Sequence, residues 1–187
     1  MKKSFVIGVS ASIFTAGSAF AEASPSAQLS YELNAEVGSV CGVYNASGSE
    51  IEVDFGELSE TPTTTSVEQG AGSASYACNS PNGFSRSIAS ANGGYLFRAG
   101  TEGGDSNQIA YQMRHGGGHG LAMDWTQLTS AANADFNSGH FLNGQTGSVA
   151  FRVNGVRSTN SNANGAAHTT VFAGQYSDVV TVTVTAR

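Results

Sequence analysis

Residues 179–187 read Val-Val-Thr-Val-Thr-Val-Thr-Ala-Arg, and this stretch decides the fold class more clearly than any other. Alternate side chains of a β-strand point to opposite faces of the sheet. The stretch therefore predicts a strand with one apolar face and one threonine face. We expect the apolar face to consist of Tyr176, Val180, Val182, Val184 and Ala186.

A second alternating stretch lies at residues 29–37, near the other end of the chain. Its apolar residues fall on one face and its polar residues on the other, which predicts a strand with one solvated face. We call the apolar face the N-terminal stripe. It consists of Leu29, Tyr31, Leu33, Ala35 and Val37.

Short segments separated by glycine and asparagine turns fill the middle of the chain. Regularly spaced short strands are typical of a β-sandwich or β-barrel, and no segment has the length of a crossover helix. Residues 60–68 and 157–167 are predicted loops, the second of them mobile, and residues 131–143 are ambiguous, with room for one helical turn. The predicted strands are 50–56, 73–78, 84–90, 95–98, 108–113 and 148–153.

The first 21 residues have the pattern of a secretory signal peptide. Lys2 and Lys3 precede an apolar run, and Ala19-Phe20-Ala21 has the small-x-small form of a cleavage site. The alternative is a membrane anchor, but a spanning helix needs about 20 strongly apolar residues, and this run is shorter and diluted by serine and glycine. We predict cleavage after Ala21, export to the periplasm and then to the cell surface or the medium, and no membrane insertion of the remaining chain.

The charge of the exported part excludes one class of partner. Both lysines lie in the predicted signal peptide, so residues 22–187 carry six arginines against fourteen acids, a formal charge of −8. Phosphate binding draws its affinity from lysine and arginine. Nucleic acid is therefore not an expected partner.

The chain has two cysteines, Cys41 and Cys78. An even number in an exported chain predicts a disulfide, and only one pairing is possible. A pair of free thiols is the alternative. A catalytic thiol is disfavoured because neither cysteine has a histidine beside it in sequence.

Other candidate sites have structural explanations of their own. His115 and His119 could bind a metal with Asp124 or His140, although three intervening glycines also predict a flexible turn with exposed histidines. Glu50, Glu52 and Asp54 could hold a cation, but a solvated strand face explains them as well. The aromatic residues Tyr95, Tyr111, Trp125 and Phe151 could form a sugar platform, and core packing is the competing role for most of them.

No motif fixes a nucleophile against a base, and the glycine pairs do not precede a helix as phosphate loops do. We therefore predict neither an enzyme nor a bound cofactor or metal. A hydrolase stays the weakest of the functional alternatives.

Four features together resemble one family. They are the alternating segment that runs into Cys41, the step Val53-Asp54-Phe55-Gly56, the segment Ser75-Tyr76-Ala77-Cys78, and the run Ala173-Gly174-Gln175-Tyr176-Ser177-Asp178. The last is similar to the alanine-glycine-x-tyrosine-x-aspartate signature of spore coat protein U domains, a family that includes the archaic chaperone–usher pilins. Order and spacing cover almost the whole exported chain.

The resemblance implies an immunoglobulin-like β-sandwich that lacks its last strand. After the predicted signal peptide at 1–21, it implies an N-terminal donor-strand extension at 22–38 and the incomplete domain at 39–187. The expected partners are a periplasmic chaperone, an outer-membrane usher and neighbouring copies or related subunits, which donate a strand by β-augmentation. The implied donor residues are the N-terminal stripe, and the implied edge of the acceptor groove is Tyr176, Val180, Val182 and Val184.

Two features depart from the family. Such pilins commonly end in an aromatic or apolar residue, whereas this chain ends Thr185-Ala186-Arg187, and the glycine-rich segment 100–120 is atypical. One alternative is that the N-terminal stripe is an ordinary first strand of its own domain. Another is a secreted, monomeric, lectin-like binding module that fills its own groove.

Overall fold

The structure, a computed structural model, describes residues 28–159 and 168–187. The predicted signal peptide and most of the predicted loop at 157–167 lie outside these residues. The chain divides into two units, residues 1–36 and residues 37–187. In the first unit, residues 28–36 form no strand, although their alternation predicted one over 29–37, and all their side chains are exposed.

The second unit is all-β, as predicted. Its elements are β1 (Cys41–Tyr44), β2 (Ser66–Cys78), β3 (Phe84–Ser90), β4 (Tyr95–Arg98), β5 (Gln108–His115), β6 (Met123–Thr126), β7 (Ala132–Phe136), a 3₁₀ turn (Ser138–His140), β8 (Gln145–Asn154), β9 (Tyr176–Ser177) and β10 (Val180–Ala186). No helix in the described ranges is long and apolar enough to cross a membrane.

Two antiparallel sheets form the sandwich. The larger has the order β1-β2-β8-β5-β4-β9, with β6 paired to β5, and the smaller has the order β10-β3-β7. In the smaller sheet Val182 lies opposite Ile88, so the apolar sides of β10 and β3 face the same way. Phe84 of the smaller sheet packs with Tyr76 of the larger one, which places the core between the sheets.

The alternating segment 84–90 and the short apolar segment 95–98 form β3 and β4 with the predicted bounds. The ambiguous segment 131–143 contains both a strand and a 3₁₀ turn. The predicted loop at 60–68 is shorter than expected, because β2 begins at Ser66 and pairs with β8 from its first residue.

The predicted strand at 50–56 is wrong. The segment alternates, but it belongs to no strand and Ile51 is 40% exposed. Only Val53 and Phe55 are half-buried, and Phe55 packs against a core cluster that includes Leu58. Alternation reports which side chains share a face, whereas a strand also needs a neighbour for its backbone groups.

Candidate assembly surface

The predicted disulfide is present and joins Cys41 to Cys78. The two residues lie directly opposite each other where β1 pairs with β2. Asn79 reinforces the junction, because its backbone N–H donates to the Val40 carbonyl and its side chain donates to the Gly38 carbonyl. β1 is therefore fastened to the larger sheet at its first residue.

The second edge of β10 is paired with no strand in the described part of the chain, although β1 lies near it. β10 pairs only with β3, and β1, at the end of the larger sheet, pairs only with β2. The two strands approach each other between the sheets. Two neighbouring strands thus each have one edge unpaired, and an unpaired edge is a template for another chain.

The apolar face of β10 is only half covered. Val180, Val182 and Val184 pack against the core clusters yet remain half-buried, while the threonines between them are exposed. Tyr176 was predicted on the same strand face as these valines, but it lies on β9 of the larger sheet. It is also half-buried, and its hydroxyl donates to the Phe172 carbonyl at 2.6 Å. The residues predicted to border an acceptor groove therefore line a partly covered part of the core.

The residues of the N-terminal stripe are strongly exposed. Leu29 is 74%, Tyr31 78%, Leu33 92% and Val37 84% exposed, and Ala35 is exposed as well. Several large apolar side chains exposed within one short segment mark an interaction site more often than a free surface.

The segment that carries the alanine-glycine-x-tyrosine-x-aspartate pattern crosses from one sheet to the other. β9 belongs to the larger sheet and β10 to the smaller one, and Asp178 lies between them. The carboxylate of Asp178 accepts hydrogen bonds from the Tyr111 hydroxyl at 2.6 Å, the Ser90 hydroxyl, the Asn92 backbone N–H at 3.0 Å and its neighbour Val179.

Two of the hydrogen-bond partners of Asp178 lie at another crossing between the sheets, the turn from β3 to β4. Ser90 ends β3 of the smaller sheet, and Asn92 belongs to the turn that leads to β4 of the larger one. Tyr111 is only 3% exposed, and burial, reinforced by the hydrogen bond to Asp178, raises the pKa of its phenol. Asp178 therefore ties together two crossing segments and the centre of the larger sheet, so it positions β10.

Tyr76, Arg86 and His115 form a buried polar cluster that sequence reasoning missed. Arg86 is 4% and His115 1% exposed. The Tyr76 hydroxyl lies 2.9 Å from His115 Nε2, and His115 Nδ1 lies 2.6 Å from the Gly116 carbonyl. This carbonyl can only accept, so Nδ1 carries the proton and Nε2 accepts from Tyr76.

The cluster holds a positive charge. Arg86 donates to the Leu121 carbonyl at 3.0 Å, and its guanidinium lies 5.0 Å from the centre of the Phe136 ring. Burial lowers the pKa of His115, and the charge of Arg86 lowers it further, while the Gly116 carbonyl opposes the shift. His115 is thus a neutral core residue and not an exposed member of a hairpin tip.

The candidate metal ligands do not form one cluster in the described residues. His119 is exposed and stacks on His140 with ring centroids 3.9 Å apart, away from the buried His115. Within residues 28–159 and 168–187 no group of three or more histidine, cysteine or acidic side chains could hold a metal ion. Glu50, Glu52, Asp54 and Asp124 are exposed.

The four candidate aromatic residues do not form one platform. Tyr111 is buried and Phe151 is half-buried beside it, with ring centroids 6.1 Å apart. Core packing is therefore the role of these two. Trp125 is half-buried and is flanked by arginines, a feature that the sequence did not reveal.

No family model matches the chain, and no curated protein matches it. One solved structure that is similar is described as "Chaperone-tip adhesin complex is vital for synergistic activation of CFA/I fimbriae biogenesis". The identity is 15% and the TM-score 0.45, and the match covers 79% of this chain and 42% of that chain. The chain thus spans less than half of that protein, and a likeness this distant says nothing of what it binds.

Proposed function

We propose that this protein is a structural subunit of a bacterial surface pilus or coat, assembled by donor-strand exchange through the chaperone–usher route. The observation that carries the proposal is the pair of unpaired edges on β1 and β10, which lie beside half-covered valines of the core. A donated strand would hydrogen-bond to the free edge of β10 and cover Val180, Val182 and Val184.

The N-terminal stripe supplies a strand of the required pattern. Its five apolar side chains are exposed, and burying each of the larger ones in a neighbour contributes about 1.5–3 kcal/mol before ordering costs. Because the donor and the acceptor are different surfaces of one subunit, the contact is head-to-tail. Such contacts, when they do not close into a ring, produce an open filament.

Insertion requires the edge of the larger sheet to move. A strand that pairs on both sides holds its neighbours about 10 Å apart, whereas β1 and β10 approach within 8 Å of each other, measured between their Cα atoms. The Cys41–Cys78 bond fastens one end of β1. We therefore expect the incoming strand to pair with β10 first and to displace the end of β1 near Tyr44.

A periplasmic chaperone would bind to the same unpaired edge of β10. A subunit that exposes an unpaired edge is prone to wrong associations, so a chaperone would occupy β10 until the outer-membrane usher brings in the next subunit. The protein would then pass through the periplasm to the cell surface. Neighbouring copies or related subunits are its permanent partners in this account.

One pair of variants tests the proposal. Leu33→Asp places a charge in the middle of the N-terminal stripe, whereas Asn34→Asp places the same residue on the solvated face of the same segment. We expect fibres, measured by electron microscopy and size-exclusion chromatography, to be lost in Leu33→Asp and kept in Asn34→Asp. Fibres that survive Leu33→Asp would refute donor-strand assembly through this stripe.

A further inference from the structure

Three side chains from three strands meet on the outer face of the larger sheet. The guanidinium carbon of Arg114 lies 4.7 Å from the centre of the Trp125 ring, and that of Arg152 lies 4.5 Å from it. Along β5, Tyr111 and Met113 are buried while Gln112 and Arg114 point outward. We call Arg114, Trp125 and Arg152 the arginine–tryptophan patch.

A hydrogen bond and partial burial hold the side chains of the patch in place. Arg152 lies directly opposite Gln112 in the pairing of β5 with β8, and its Nε donates to the Gln112 side-chain oxygen at 2.7 Å. Trp125 is half-buried on β6, the strand on the other side of β5. The side chain of Arg152 therefore reaches across β5, which fixes where its charge is presented.

The two positive charges of the patch lack an acidic partner. Among the residues described, the ion pairs join Arg157 to Glu60 and Arg187 to Asp135, and no carboxylate lies within 4 Å of either patch guanidinium. Each guanidinium has five N–H donors in a planar fork suited to carboxylates, and Arg152 uses one of them on Gln112. Two like charges held on one ring favour an anionic partner.

The distance between the charges limits what can bind. Both guanidinium carbons lie within 5 Å of the same ring centre, so their separation cannot exceed the sum of the two distances. Carboxylates two residues apart on an extended chain are about 7 Å apart. The carboxylate spacing of a segment with acids at alternate positions falls within this limit.

This chain contains such a segment. In the described part of the sequence, residues 50–54 are the one place where three acids stand at alternate positions, and Glu50, Glu52 and Asp54 are all exposed. None of the three is in an ion pair of the described residues. Their segment belongs to no strand, so its backbone can lie flat on another surface.

We propose that the arginine–tryptophan patch of one copy binds the acidic segment 50–54 of a second copy. The contact goes beyond donor-strand assembly and uses different residues. Exposed ion pairs are individually weak, but subunits repeated along a fibre would engage many such contacts at once. The contact would then join fibres, or neighbouring subunits, side by side.

Charge exchange tests the proposal. One variant carries Arg114→Glu and Arg152→Glu, and the other carries Glu50→Arg and Glu52→Arg. Glu102→Arg with Asp105→Arg is the matched control, because it changes the net charge by the same amount as the second variant at other exposed positions. All chains also carry Leu33→Asp, so that donor-strand assembly does not obscure the weaker contact.

Self-association is measured by sedimentation velocity at high protein concentration and low salt. We expect each charge-reversed variant alone to associate at least about tenfold less than the chain with only Leu33→Asp. The control should associate like that chain, and an equal mixture of the two reversed variants should regain association. A failure of donor-strand assembly would leave these results unchanged.

Two results would overturn the proposal. In the first, the mixture of reversed variants associates no more than either variant alone. In the second, polygalacturonate, a polymer of regularly spaced carboxylates, binds the parent chain and not the Arg114→Glu, Arg152→Glu variant, while the chains do not associate with each other. The partner of the patch would then be an acidic polysaccharide.

Discussion

Replacing Asp178 with alanine is expected to lower the free energy of unfolding by about 3 kcal/mol. The Asp178 carboxylate accepts two hydroxyl and two backbone hydrogen bonds. Losing a hydrogen bond to a charged group costs about 1.5–3 kcal/mol, and the buried Tyr111 hydroxyl would lose its acceptor. Water can replace the carboxylate at the two backbone N–H groups, since Asp178 is only half-buried. The two hydroxyl bonds, at the lower end of the range, therefore dominate the total.

Urea unfolding with the disulfide intact, followed by far-ultraviolet circular dichroism, measures the effect. With a slope of about 1–3 kcal/mol per molar urea, the midpoint should fall by at least about 1 M. Asp178→Asn keeps one acceptor oxygen and should lose less. Asp124→Ala is the control, because Asp124 is exposed on β6 and should change stability by under about 0.5 kcal/mol. An Asp178→Ala midpoint equal to that of Asp124→Ala would refute the role assigned to Asp178.

Three further changes test other parts of the structure. His115 has a folded-state pKa below its usual value of 6.5, so the unfolded chain binds more protons, and stability should fall as the pH drops below about 6.5, by up to about 1.4 kcal/mol per pH unit. Denaturation curves of His115→Gln at several pH values should lack this component. A pH dependence of stability that is unchanged in His115→Gln would contradict the prediction. Replacing Cys41 and Cys78 by serine opens a loop of 37 residues and should lower the free energy of unfolding by about 4 kcal/mol, measured as a lower thermal midpoint. An unchanged thermal midpoint would show that the disulfide does not stabilise the attachment of β1. Gly83→Ala should strongly destabilise the protein, because Gly83 has φ +77° and a Cβ there would lie 1.8 Å from the Phe136 carbonyl oxygen. Gly118→Ala is the control and should cost little stability, since the space at that position is open. Equal thermal midpoints for the two variants would contradict the packing at Gly83.

Alternation of apolar and polar residues predicted much of the second unit. It placed β3 with its bounds and the inward valines of β10, because a strand between a core and solvent shows its orientation directly in the sequence. It was wrong for residues 50–56, where the pattern occurs without a neighbouring strand. Pairing depends on the rest of the fold, and periodicity within one segment does not contain that information.

The residues around the candidate site were harder to predict. His115 follows Tyr111 and Met113 on the inward face of β5, although the glycines after it predicted an exposed turn. Only the position of Tyr76, 39 residues earlier, reveals its hydrogen bond. Arg114, Trp125 and Arg152 likewise meet because β6, β5 and β8 are neighbours in that order. Such contacts follow from strand order and register, which one sequence does not specify.

The most direct measurement adds a synthetic peptide of residues 28–38 to a chain that begins at residue 39. The account predicts that the peptide binds and raises the thermal midpoint of the shortened chain, that it protects the backbone amides of β10 from hydrogen exchange, and that a peptide with Leu33→Asp does neither. A shortened chain that folds reversibly, is as stable as the full exported chain and ignores the peptide would contradict the claim that β10 receives a strand from elsewhere.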